Sequence, residues 1–155
     1  MNSYILIGPP GCGKSTWAKN FKPPNGSDSN IISSDVIRLK ICGDISDQSR
    51  NREVFQKFQE EYVSLLARKA DSIIVDATNM TRRDRKFYID YARMSNYSPV
   101  AIRFDFDRQK LIYRIQERSL DGGLYVPTEA IDRMIAKYQP PELIEGFDSI
   151  YYVAN

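Results

Sequence analysis

Residues 8–15, Gly8-Pro-Pro-Gly-Cys-Gly-Lys-Ser, fit the spacing G-x-x-x-x-G-K-[ST]. Gly8, Gly11 and Gly13 carry no Cβ, so the backbone N–H groups of this stretch, that of Cys12 among them, can turn inward around anionic oxygens. Lys14 supplies a point charge for outer phosphates, and the Ser15 hydroxyl supplies an oxygen for Mg²⁺. Thr16 adds a second hydroxyl. Glycine-rich turns match this spacing by chance, but here the required context is present. The apolar run Tyr4–Ile7 reads as a buried strand before the loop, and Ser15 to Phe21 reads as a helix after it.

Three further groups have chemistry to offer. Asp35 and Arg38 sit three apart on a short helical segment after a strand, so their side chains share a face. Beside a bound nucleotide, the carboxylate can take the proton of an attacking hydroxyl and the arginine can grip an acceptor anion. The plainer alternative makes Asp35 a helix cap paired with Arg38. Asp76 closes the apolar strand Ser72–Asp76 with a carboxylate, a second oxygen ligand for Mg²⁺. Arg114 and Arg118 are four apart on one helix, ahead of Asp121-Gly-Gly, which reads as a flexible turn; that is the make-up of a lid whose arginines neutralise a transferring phosphoryl group. Surface pairing with Glu117 is the plainer alternative there.

Composition narrows the classes. The 155 residues include 42% hydrophobic and 27% charged ones, enough for one domain, residues 1–155, with a sizeable core. There is no histidine, and Cys12 and Cys42 form no Cys-x-x-Cys pair, so zinc sites and histidine bases are excluded and a disulfide is not expected. Net charge is +2, too small to demonstrate a nucleic-acid partner, and clusters such as Arg82-Arg83-Asp84-Arg85-Lys86 are commonly solvated helix faces. No apolar stretch reaches membrane-spanning length, and a strand beginning at residue 4 leaves no room for a targeting peptide; a cytoplasmic location is expected, with no obligate protein partner.

The elements needed to position these groups follow in order. Strands are predicted at Tyr4–Ile7, Ile31–Ser33, Ser72–Asp76, Val100–Phe104 and Ile150–Val153. Helices are predicted after the glycine loop, from Ser34-Asp35 to Lys40, over Asn51–Ala70, and from a Thr81–Asp84 capping box to about Ser95. Two more are predicted from Asp107 and from Val126-Pro127, the second ended by Pro140-Pro141. Alternating strands and helices imply an α/β fold, a three-layer α/β/α sandwich with a central parallel sheet and a small helical lid at about 108–139. The ligand belongs beyond the carboxyl ends of the strands, where Asp35, Asp76, Asn79 and the phosphate loop meet.

Guanine switches and motor ATPases are disfavoured. There is no Asn-Lys-x-Asp, Asp76 is followed by Ala77 rather than glutamate, and the chain has no room for a motor-type helical lid domain. A compact P-loop phosphotransferase remains.

Gly8 to Ala18 resembles the phosphate loop of phage and bacterial polynucleotide 5′-hydroxyl kinases, down to Thr16-Trp17-Ala18. Ser34-Asp35-Val-Ile-Arg38 resembles their acceptor motif, and Val75-Asp76-Ala-Thr-Asn79 with Arg85 their third-strand signature. Arg114-Ile-Gln-Glu-Arg118, Val126-Pro127, Met134 and Pro140-Pro141 resemble their lid. The resemblance implies an ATP- and Mg²⁺-dependent kinase domain that phosphorylates the 5′-OH end of RNA or DNA, as in nucleic-acid repair, without an attached phosphatase or ligase. It implies Lys14, Ser15 and Thr16 on donor phosphates and Mg²⁺, Asp35 as general base, and Arg38 on the acceptor's 3′-phosphate. It also implies Arg118 on the transferring phosphate and Arg114 on the donor side. Asp76 matches the strand-end acid loosely, and the stretch from Arg118 to Val126 is longer than in the phage enzyme. Other outcomes left open are a small-molecule kinase acting on a nucleoside or nucleotide-sugar, as zeta-toxin-like relatives do, and a nucleotide-binding module without turnover.

Overall fold

The computed structural model describes residues 1–154. Five parallel strands form one sheet: β1 (Asn2–Ile7), β2 (Ser29–Ser33), β3 (Ser72–Asp76), β4 (Ser98–Phe104) and β5 (Ser149–Val153), in the order β2-β3-β1-β4-β5. β1 lies at the centre, with Ile5 opposite Val75 on one side and opposite Ala101 on the other. Alternate residues of β1 face opposite sides of the sheet. Ile5 and Ile7 enter one core with side chains of α2 (Ser34–Cys42), α3 (Asn51–Ala67) and α4 (Arg82–Met94). Tyr4 and Leu6 enter the other with α1 (Lys14–Asn20), α5 (Arg108–Leu120) and α6 (Thr128–Lys137). The three-layer α/β/α sandwich read from the alternation of elements is the architecture observed. No helix among the described residues is long and apolar enough to cross a membrane.

Local chemistry explains most boundaries. Asp107 caps α5 by accepting from Lys110 N at 3.1 Å, and the Thr81–Asp84 capping box of α4 is formed in both directions. The alternative in which Asp35 caps α2 is not what forms. Ser33 caps α2, its hydroxyl accepting from Val36 N at 3.3 Å, and Asp35 stands inside the first turn. α3 stops at Ala67 rather than Ala70. Lys69 takes φ 57°, and Ala70 N and Lys69 N donate back to Leu65 O and Leu66 O, a Schellman ending that hydrophobic periodicity does not announce. A 3₁₀ turn at Leu143–Glu145 was not foreseen.

That turn matters to α4. Helical periodicity marks Phe87, Tyr88, Tyr91 and Ala92 as its apolar face, but the buried residues are Arg85, Tyr88, Ile89 and Ala92. Arg85 is read as solvated by its neighbours in sequence but is fully enclosed. Its Nε and Nη2 donate to the two carboxylate oxygens of Glu145 at 2.8 and 2.9 Å, and its Nη1 donates to Asn79 O at 2.9 Å. The side chains are 0% and 6% exposed. Glu145→Ala strands a buried guanidinium and is expected to cost about 3–5 kcal/mol. Thermal unfolding checks this, with a fall in Tm on the order of 10 °C expected. A fall of a degree or less would show that the pair contributes nothing.

Candidate active site

β1 delivers the chain to the glycine loop, and the glycines are needed for space and for φ. A Cβ on Gly8 would lie 2.6 Å from Cys12 Sγ, while Gly11 and Gly13 have φ +83° and +100°. Gly13 is the N-cap of α1 and no side chain caps this helix, so its first N–H groups face the loop. Lys14 is buried, with Nζ donating to Pro9 O at 2.9 Å and lying 3.8 Å from Cys12 Sγ. Burial pushes the Cys12 thiol up, against the opposing charge of Lys14.

Beside the loop, Ser15 Oγ donates to Asp76 Oδ2 at 2.8 Å, which ties α1 to the end of β3. Asp76 is 5% exposed. Burial pushes its carboxyl above the ordinary range; Ser15 and Lys14 pull it down and the nearby charge of Asp35 pushes it further up. Asp35 arrives at this point because Ser33 is in register with Asp76. Lys14, Ser15, Asp35, Asp76 and Arg118 therefore line one small cavity of about 50 Å³, with Ala77, Thr78 and Leu124.

Mg²⁺ fits this donor set. No cluster of three or more carboxylate, thiol or imidazole groups is present among the described residues, so the protein offers two adjacent oxygens, Ser15 Oγ and the desolvated Asp76 carboxylate. That is the kind of site in which Mg²⁺ completes its shell with substrate phosphates and water.

A second cavity of about 380 Å³ adjoins the first, lined by Gly11, Cys12, Gly13, Thr16, Trp17, Phe104, Arg114, Arg118 and Val153. Thr16 thus faces this space rather than the Ser15–Asp76 pair. Arg114 Nη1 donates to Gly11 O at 3.1 Å, and Arg118 borders both cavities. The Asp121-Gly-Gly turn is a formed helix cap rather than a loose turn. Gly123 N donates to Arg118 O at 2.8 Å and Gly122 N to Ser119 O at 3.2 Å. Beyond it, Leu124 is buried and lines the small cavity with the phosphate loop; the only sequence signal for it is an apolar residue directly after two glycines.

Arg38 is not part of this cavity. It shares no ion pair with Asp35 among those described. Its Nε donates to Asp47 O at 3.1 Å, its Nη2 to Asn51 Oδ1 at 2.6 Å, and its guanidinium lies 6.0 Å from the Phe55 ring centroid. The side chain is buried and organises the 43–50 loop. Arg82 and Arg83 stand in the first turn of α4, after the Thr81 cap.

The AAA domain family matches residues 4–141. The chain belongs to that family. The curated protein Transcription factor bHLH140 of Arabidopsis thaliana is 27% identical to this AAA domain over 153 residues, 96% of the chain, which spans only 15% of that relative's length. Among solved structures, a chain of the Pnkp1/Rnl/Hen1 RNA repair complex superposes with TM-score 0.71 and 26% identity, over 88% of this chain and 43% of that one. Kti12 of Chaetomium thermophilum, in complex with ADP-AlF3, gives TM-score 0.71 at 13% identity over 98% and 88%. A gluconokinase from Sinorhizobium meliloti 1021 gives 0.57 at 14% over 99% and 82%. The AAA domain therefore has the P-loop kinase fold.

The raised carboxyl of Asp76 makes a signed prediction. The folded form binds its proton more readily than the unfolded chain, so stability falls as pH rises from the ordinary carboxylate range through the raised value. Asp76→Asn keeps an oxygen for Ser15 and removes the buried charge. It is expected to melt higher than the unmutated protein at neutral pH, with the gap closing in acid, and to lose the extra stabilisation that Mg²⁺ adds to nucleotide. Melting curves across pH, with nucleotide and with or without Mg²⁺, check both halves.

Proposed function

We propose that this AAA domain transfers the γ-phosphate of ATP to the 5′-hydroxyl end of RNA or DNA. The observation that carries the reading is the convergence of Lys14, Ser15, Asp35, Asp76 and Arg118 on one cavity at the carboxyl ends of the strands. A cradle for phosphates alone would suit any nucleotide binder; a carboxylate and a lid arginine on the same space suit transfer. The larger adjoining cavity is of a size for the donor's nucleoside. A likeness at 26% identity to a chain of an RNA repair complex supports a nucleic-acid acceptor, whereas the gluconokinase at 14% supports the fold alone.

In this reading Asp35 takes the proton of the acceptor hydroxyl as its oxygen bonds to the γ-phosphorus. The bond from that phosphorus to the bridging oxygen breaks, and ADP departs with the electron pair. Lys14 and Arg118 neutralise the oxygens of the phosphoryl group in flight, and Arg114 steadies the glycine loop from the donor side. Mg²⁺, held by Ser15 and Asp76, would offset negative charge on the donor's phosphates.

The test is transfer from γ-labelled ATP to three acceptors in parallel: a 5′-OH oligonucleotide, a nucleoside and a nucleotide-sugar. Label on the oligonucleotide end is expected. Label confined to a small molecule would replace this reading with a small-molecule kinase, and ATP binding without any transfer would leave a binding module. Asp35→Asn is expected to retain ATP affinity and lose about 10²–10⁴-fold in rate. Lys14→Ala is expected to lose about 100-fold or more with every acceptor.

A further inference from the structure

A groove of about 390 Å³ runs between α3 and α4 and opens onto the transfer site, because Ala77 and Thr78 line both. Its volume falls within the roughly 300–1,000 Å³ of small-molecule sites. Phe55 comes from α3; Phe87 and Tyr88 come from α4. Phe55 and Phe87 are only partly buried, so each keeps ring surface open, while Tyr88 is enclosed and backs Phe87 at a centroid distance of 5.5 Å.

The charges beside the groove are sorted by what they already hold. Arg82 pairs with Glu142 at 2.9 Å, Arg85 with Glu145 at 2.8 Å and Lys86 with Asp90 at 2.8 Å. Arg83 has no ion pair among the described residues, is exposed, and lines the groove. Asp84, the one carboxylate on the wall, is committed to the capping box through Thr81 N at 3.2 Å. An open aromatic surface with one uncommitted arginine suits a flat ring joined to an anion.

We propose that this groove is the acceptor subsite. The first nucleobase stacks on the Phe55 and Phe87 surface, and Arg83, rather than Arg38, holds the phosphate on the 3′ side of that nucleoside. Arg38 is a positioning residue, since its guanidinium backs the Phe55 ring and its hydrogen bonds go to Asp47 and Asn51. The assignment rests on the transfer reading above and names where its substrate lies.

The experiment measures kcat/KM for a 5′-OH oligonucleotide, a nucleoside 3′-monophosphate and the plain nucleoside. It uses the unmutated protein, Arg83→Ala, Phe87→Leu and Arg38→Ala. Binding of the 3′-monophosphate in the presence of ADP is titrated alongside. Arg83→Ala is expected to lower the two phosphate-bearing acceptors about 10- to 100-fold, to leave the plain nucleoside and the KM for ATP nearly unchanged, and to weaken the titrated binding equally. Phe87→Leu, which keeps an apolar side chain, is expected to lower all three acceptors together, by roughly 5- to 100-fold. Arg38→Ala is expected to leave the ratio of 3′-monophosphate to plain nucleoside intact. A ratio that survives Arg83→Ala, or that collapses only in Arg38→Ala, overturns the subsite while leaving the transfer reading in place. Binding of the 3′-monophosphate that is lost in Arg83→Ala, with no label transferred by any protein, upholds the subsite and overturns the transfer reading.

Discussion

A carboxylate buried at the end of a central strand is tolerated only where something compensates its charge. Asp76 is that group, and the geometry of the site follows from what compensates it. Ser15 must donate to it, which sets where α1 begins after the glycine loop. Lys14 must lie close enough to act on it, which keeps the lysine inside the loop. β3 must therefore run beside β1, and the sheet order places it there. β2 then falls on the outer side of β3 with Ser33 in register with Asp76, and the helix that Ser33 caps brings Asp35 to the same point. Two carboxylates are thus gathered beside one lysine, a charge balance that a divalent cation and a polyphosphate would complete.

The phosphate loop is held from outside by a second set of bonds. Gly8 N donates to Thr78 O at 3.0 Å, and Asn79 Nδ2 donates to Leu6 O at 2.8 Å. Asn79 makes its bond from φ 48°, a left-handed conformation that asparagine tolerates better than most residues. Its own carbonyl accepts from Arg85, whose guanidinium is fastened to Glu145. The position of the cradle therefore depends on a 3₁₀ turn more than 100 residues further along the chain. A buried ion pair is a weak source of net stability, but it is directional, and here its direction fixes a loop.

Much of this was legible in the amino-acid sequence because the information is local. The strand before Gly8, the Thr81–Asp84 box and the Asp107 cap each depend on residues within a few positions of one another, and each formed as read. The α/β layering was legible from alternation of elements. What was not legible depends on partners distant in sequence. Three-residue spacing does put Asp35 and Arg38 on one helix, but only the fold shows that the 43–50 loop returns to satisfy Arg38 through Asp47 and Asn51. In the cluster of four basic residues that reads as a solvated face, Arg82, Arg83 and Lys86 are exposed, but Arg85 is buried because the fold brings Glu145 to it from a distant part of the chain.

The 43–50 loop also touches the segment between α5 and α6. Tyr125 N donates to Ser46 Oγ at 2.8 Å, so the segment after the Gly122–Gly123 cap rests on the loop that Arg38 organises. Under it, Leu124 borders a cavity of about 50 Å³. In the proposed subsite Arg38 would act without touching an acceptor, since it holds the loop on which Tyr125 rests and backs the Phe55 ring. The two arginines differ in a way that suits the proposed subsite: Arg38 is buried and donates to two neutral acceptors, Asp47 O and Asn51 Oδ1, whereas Arg83 is exposed and has no ion pair among the described residues.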